Sequence, residues 1–97
     1  MNDKLFDWDD ANILHIAEHD LTPEEEAEEV VLGDALEKGF DAGTMGEERW
    51  YYVGETAQGR VLQVVIAMRG KRIRVVTGFK PTKRDELTYL EYKAEKQ

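Results

Sequence analysis

His15 and His19 stand four residues apart. Imidazole is the side chain whose ordinary titration falls near neutrality, so the pair offers one group to take a proton and one to give it. The same spacing suits two metal ligands on one helix face, but no third ligand follows at a recognisable spacing. Arg72 and Arg74 are two apart in Arg72-Ile73-Arg74-Val75-Val76-Thr77. In a strand they project side by side from one face, where planar guanidinium groups suit phosphate oxygens. Trp50, Tyr51 and Tyr52 offer rings for stacking or for a core. Each set also has a plain structural reading. The histidines can sit on a helix flank, the arginines can be solvated or paired with Asp and Glu, and Arg84 can pair with Asp85 or Glu86 along a helix. Gly43, Gly46 and Gly54 match no phosphate-binding loop spacing.

The elements that must hold these residues can be read in order. Leu5-Phe6-Asp7-Trp8 alternates as a short edge strand does. Asp9 or Asp10 then caps a helix to about His19, with Ile13, Ile16 and Ala17 on its apolar arc. Thr22-Pro23-Glu24-Glu25 is a capping box with proline at the first helical position, and it opens a second helix that buries Ala27, Val30 and Val31 and stops at Gly33. Residues 34–47 have weak periodicity and read as a loop. Strands follow at Arg49–Val53, Arg60–Met68 and Arg72–Thr77, joined by hairpin-length links as an antiparallel meander. After Pro81, Thr82 caps a helix from Lys83 to about Glu95, with Leu87, Leu90 and Ala94 turned inward.

Strand parity sorts the side chains. Leu62, Val64, Ile66 and Met68 share one face with Ile73 and Val75. Arg72, Arg74 and Gln63 then occupy the opposite face, away from the helical core; Arg49 fits either side. The expectation is a bare, cationic sheet face.

Length and composition bound the rest. Ninety-seven residues make one domain, 1–97, and 41% apolar with 35% charged residues indicates a globular chain. The absence of cysteine removes disulfide scaffolds, thiol nucleophiles and cysteine-ligated metals. No apolar run approaches the roughly 20 residues of a membrane helix. The opening Met-Asn-Asp-Lys lacks the pattern of a secretory signal, so a cytoplasmic, membrane-free protein is expected. The net charge of −8 is uneven: residues 1–59 hold 3 basic and 17 acidic side chains, residues 60–97 hold 10 and 4. The halves can neutralise one another, or the basic half can form a local patch inside one screening length.

Several segments in order resemble the BrnT toxin family. They are Phe6-Asp7-Trp8-Asp9, Asn12-Ile13, His15-Ile16-Ala17, His19 and Leu21-Thr22-Pro23-Glu24-Glu25. Further on come Gly46-Glu47-Glu48-Arg49-Trp50, Val53-Gly54-Glu55-Thr56, Gly59-Arg60-Val61-Leu62, Arg72 to Thr77, and Lys83-Arg84-Asp85-Glu86 with Tyr89. The resemblance implies an α+β fold like that of the RelE ribonucleases. Two N-terminal helices and one C-terminal helix would pack on one face of a small, mainly antiparallel sheet. It also implies an endoribonuclease acting on mRNA without a metal or cofactor. A cognate antitoxin and RNA are the expected partners, in a homodimer or a toxin–antitoxin heterotetramer.

Cleavage of that kind needs the 2′-OH deprotonated, the phosphate charge stabilised and the leaving oxygen protonated. His19, Arg72, Arg74, Lys80 and Arg84 are the candidates for catalysis; Arg49, Gln63 and Lys83 are the candidates for RNA binding. The chain departs from the family pattern at Glu18, Asp20 and Phe79, where acids or a ring replace small or basic residues. An acid beside an RNA surface opposes phosphate. The alternative is therefore a catalytically degenerate member that acts as a protein-binding module.

Overall fold

The computed structural model describes residues 5–18, 24–43 and 47–96. Asp9 caps α1 (Asp10–Ala17) in a reciprocal box: the Asn12 N–H donates to Asp9 Oδ1 at 3.1 Å, and the Asp9 N–H donates to Asn12 Oδ1 at 2.7 Å. Helix α2 (Glu24–Leu32) opens with three glutamates, where the helix dipole favours negative charge. The expected cap, Thr22-Pro23, lies outside the described residues, as does His19. Strands β1 (Leu36–Asp41), β2 (Arg49–Glu55), β3 (Val61–Arg69) and β4 (Arg72–Phe79) form one antiparallel sheet in sequence order, and α3 (Lys83–Glu95) ends the chain. Gly70, at φ +63°, makes the tight β3–β4 link.

The α+β class, the antiparallel meander and helices toward both ends agree with the sequence reading. One element was missed. Leu36–Asp41 is a strand, not a loop, although it is exposed at four of six positions. It has a neighbour on one side only and a register shift between Glu37 and Gly39, so alternation never develops.

The parity argument holds along the middle of the sheet. Ile66 pairs with Val75, Ala67 with Arg74 and Arg69 with Arg72, so both arginines lie on the face away from α1 and α2. The core on the α1–α2 side gathers Phe6, Ile16, Ala27, Val30, Leu62, Val64, Ile66 and Val75. Each of its larger side chains contributes about 1.5–3 kcal/mol through burial. Gly54 lets α2 approach: a Cβ there would meet Ala35 Cβ at 3.0 Å and Val30 Cγ1 at 3.1 Å.

The second face is not bare. Val53, Val65 and Ala67 are buried on it as deeply as the core residues opposite, and a strand apolar on both faces needs cover on both. Helix α3 covers one half. The Tyr89 hydroxyl donates to Glu55 at 3.3 Å, and Lys38 Nζ reaches both Gln63 and Asp85. Glu55 and Gln63 have the parity of Val53, so α3 lies across the sheet from α1 and α2, rather than with them. Its orientation also differs from expectation. Tyr89 is its buried residue, while Leu87 and Leu90 are exposed.

Burial beside the Glu55 carboxylate pushes the Tyr89 hydroxyl up to about 12. The native state holds this proton more tightly than the unfolded chain, so the stability it confers is complete below about pH 10 and is lost as pH rises toward 12. Denaturant unfolding of Tyr89→Phe is expected to show a smaller loss of stability between those values than the parent chain.

Candidate functional site

Residues 5–7 fold back along the open edge of β4. Phe6 bridges Ile73 in parallel, the Asp7 N–H donates to the Ile73 carbonyl at 2.8 Å, and the Ile73 N–H donates to Leu5 at 2.8 Å. Helix α1 continues along the same edge. Asn12, buried to 3% exposure, donates from Nδ2 to the carbonyls of Asp7 and Val75, each at 3.0 Å. Together these contacts place α1 beside the half of the second face that α3 leaves uncovered.

Between them lies a cleft of about 450 Å³, lined by Ala11, Asn12, His15, Glu47, Arg49, Arg69, Arg74, Val76 and Thr77. Its floor follows from register. Arg49, Ala67 and Arg74 form one row across β2, β3 and β4, with two arginines flanking a small, fully buried alanine. Tyr51, Val65 and Thr77 form the next row. The Thr77 hydroxyl oxygen is buried with no hydrogen-bond partner among the described residues.

The cations here are compensated, contrary to the bare face read from parity. Arg74 Nη1 and Nη2 meet the two carboxylate oxygens of Asp9 at 3.0 and 3.2 Å, and Asp7 lies 3.5 Å from Nη1. Arg72 donates to the Phe6 carbonyl and lies 3.8 Å from Asp7. Arg69 Nη2 contacts Glu47 at 3.0 Å, with Arg49 Nε 3.9 Å from the same carboxylate. Arg74 is 16% exposed in its side chain, against 43% for Arg49 and 51% for Arg69. Of the two arginines that sequence parity singled out, Arg74 is therefore the more committed, while Arg72 is as exposed as Arg49, at 43%. Arg49 and Arg69 share a single acid and offer more accessible charge than Arg74.

Hydrogen bonding from Arg74, then from the Asn12 N–H, holds the Asp9 carboxyl below its ordinary range; Asp9 in turn raises Arg74. A depressed carboxylate pairs above its ordinary range and loses the pairing only as pH falls through its lowered value. The clamp is thus closed at neutral pH.

The other sequence candidates scatter. Gln63 is buried beneath Lys38 and α3, and so is closed to a large ligand. Lys80 lines a different hollow with Gly59, Arg60, Val61, Leu62 and Glu86. It is six residues along the chain from Arg74, roughly 20 Å at strand spacing. Lys83 and Arg84 are exposed on the first turn of α3. Of the named set, among the described residues, only Arg49 and Arg74 line the cleft, and Arg72 does not.

His15, Glu47, Arg69 and Thr77 complete the site. Arg69 has the parity of Arg72 and Arg74 and could be found by carrying that rule one residue further along β3. His15 carried its signal too, as one of only two histidines. Its ring lies 4.0 Å from Glu18. Glu47 and Thr77 had no signal: Glu47 matters through Arg69 of another strand, and Thr77 reaches this face only through the register shift between Val65 and Ile66. The cleft thus holds a histidine and a carboxylate to move protons, guanidinium groups for an anion, and a hydroxyl lacking a partner. Among the described residues no three His, Asp or Glu side chains converge as metal ligands do, and no helix is long and apolar enough to cross a membrane.

Comparison with curated proteins and with solved structures finds no match. A family model described as "Ribonuclease toxin, BrnT, of type II toxin-antitoxin system" matches residues 8–85.

Proposed function

Because the chain belongs to the BrnT family of ribonuclease toxins, whose type II systems pair each toxin with a cognate antitoxin, we propose that it cuts mRNA in the cleft between α1 and the sheet. The observation that carries this reading is the meeting of His15, Glu47, Arg49, Arg69, Arg74 and Thr77 around one hollow. Glu47 takes the proton from the 2′-OH, and His15 protonates the leaving 5′-oxygen. Arg49 and Arg69 stabilise the charge gathering on phosphate; Thr77 donates to it. Arg74, held by Asp9, positions the floor of the site. Tyr51, in the row beside Arg49, is the ring on which an unpaired base stacks. The chemistry needs no metal, and the protein acts in the cytoplasm, where its substrate and its antitoxin are.

Expression in a bacterial host with and without the neighbouring antitoxin frame tests this. Arrested growth and fragmented mRNA are expected without that frame. Normal growth and intact RNA would contradict the reading.

A second reading has its own observation. Arg72 is met by Asp7, and Arg74 by both Asp7 and Asp9, as expected of a degenerate member that binds a protein instead of RNA. Asp9→Asn separates the two. Asparagine is as good a helix cap as aspartate, so α1 keeps its start while Arg74 loses the nearer of its two counter-charges and keeps Asp7 at 3.5 Å. Under the ribonuclease reading, affinity for a non-cleavable RNA rises several-fold. The slope of log affinity against log salt steepens by about 0.7, the value for one more phosphate contact on a single strand. Unchanged anisotropy titrations would favour the binding module.

A further inference from the structure

Helix α3 turns its most apolar line of side chains away from the protein. At 100° per residue, Leu87, Leu90 and Ala94 fall in one arc opposite Tyr89, the helix's buried residue, with only Lys83 of the first turn among them. Leu87 is 53% exposed and Leu90 44%. An amphipathic helix ordinarily buries such an arc; here tyrosine serves the sheet and the leucines are left over.

The borders of this arc are charged in a pattern of their own. One border carries Arg84 and, two turns on, Glu91; the other carries Glu86 and, two turns on, Lys93. Base precedes acid on the first border, and acid precedes base on the second. Among the described residues no salt bridge involves Arg84, Glu86 or Glu91, while Lys93 already meets Glu55. When two such helices pack antiparallel, each border meets its own inverted copy. Arg84 then faces Glu91 of the second helix twice over, and Glu86 faces Lys93 twice over, around a leucine seam. A parallel pair would rest instead on Arg84 with Glu86 and Glu91 with Lys93. Lys93, already engaged by Glu55, serves half of the contacts in either arrangement, but in a parallel pair the helix dipoles would also be aligned unfavourably.

We propose that α3 is a self-association surface, on which a second copy of this chain lays its own α3 antiparallel about a two-fold axis. A surface that is its own complement is what an isologous interface requires. One pair of 13-residue helices is small for an interface, so the dimer is weak and dependent on concentration.

Sedimentation equilibrium of the full chain over a wide concentration range tests the proposal. The mass is expected to rise from one chain toward two. Leu87→Glu, an exposed substitution that leaves the fold intact, keeps it at one. Arg84→Glu alone and Glu91→Arg alone each weaken association by about tenfold or more, through like charges brought face to face. The double exchange Arg84→Glu with Glu91→Arg restores it. A parent chain that stays monomeric throughout would overturn the proposal, as would a dimer indifferent to Leu87→Glu. A double exchange that fails to restore association would overturn the antiparallel arrangement. If the parent is monomeric and Leu87→Glu instead abolishes antitoxin binding, the stripe belongs to the antitoxin and the proposal is wrong.

Discussion

Replacing His15 by Gln is expected to lower the single-turnover rate of RNA cleavage by about 10²–10⁴-fold, the usual contribution of a positioned acid or base. Glutamine keeps the polar character of the position but neither gains nor loses a proton near neutrality. His15 is half exposed on α1, with Glu18 4.0 Å from its ring, so a polar replacement of similar size should leave the fold and the affinity for a non-cleavable RNA close to the parent's. The pH profile discriminates further. An acid and a base acting together give a bell-shaped rate profile. His15→Gln should remove one limb and Glu47→Gln the other. Both variants cleaving at the parental rate would show that the protons move elsewhere.

The largest effect on stability is expected at Asn12. Its Nδ2 donates to the Asp7 and Val75 carbonyls, its Oδ1 accepts from the Asp9 N–H, and its own N–H completes the cap. Alanine would break three side-chain bonds at once and leave the Val75 carbonyl buried without that partner. An orphaned buried polar group costs about 1–3 kcal/mol. With the lost cap, the total should reach about 3 kcal/mol, or roughly 12–20 °C in Tm for a chain of this size. Leu14→Ala on the same helix, at a side chain 64% exposed, should stay within about 0.5 kcal/mol of the parent. Chemical or thermal unfolding followed by circular dichroism measures both. Because Asn12 ties residues 7–9 to β4, its loss should also loosen the Asp9–Arg74 pair and change RNA binding. A purely local helix defect would not.

Where neighbours in sequence are also neighbours in the fold, the sequence was readable. Asp9 caps α1, Thr82 caps α3 with the Asp85 N–H at 3.2 Å, and the register of β3 on β4 follows from alternation from Arg69–Arg72 as far as Ile66–Val75, beyond which a shift turns Thr77 to the other face. Contacts decided far along the chain were hidden. Parity put Arg72 and Arg74 on the correct face, but the carboxylates that hold Arg74 come from 65 and 67 residues away. Nothing local in Arg72-Ile73-Arg74 announces that residues 5–9 return along β4. β1 was missed because an edge strand with a bulge owes its existence to its one partner. The face of α3 was misjudged because leucines outvoted tyrosine in a simple apolar count. A large ring beside a carboxylate fits the sheet better there, being apolar in body and polar at its tip. His15 and Arg69 were visible as residue types but not as members of one site, since only the tertiary fold brings α1 to the β3–β4 end.

The claim on which the rest depends is that RNA lies in the cleft between α1 and the uncovered half of the sheet. An NMR titration of the ¹⁵N-labelled protein with an RNA oligonucleotide blocked by 2′-O-methyl groups tests it most directly. Amide shifts are expected in Ala11 to His15, at Glu47 and Arg49, at Arg69, and from Arg74 to Thr77. Shifts confined to Gly59–Leu62 with Lys80, or to α3, would contradict it.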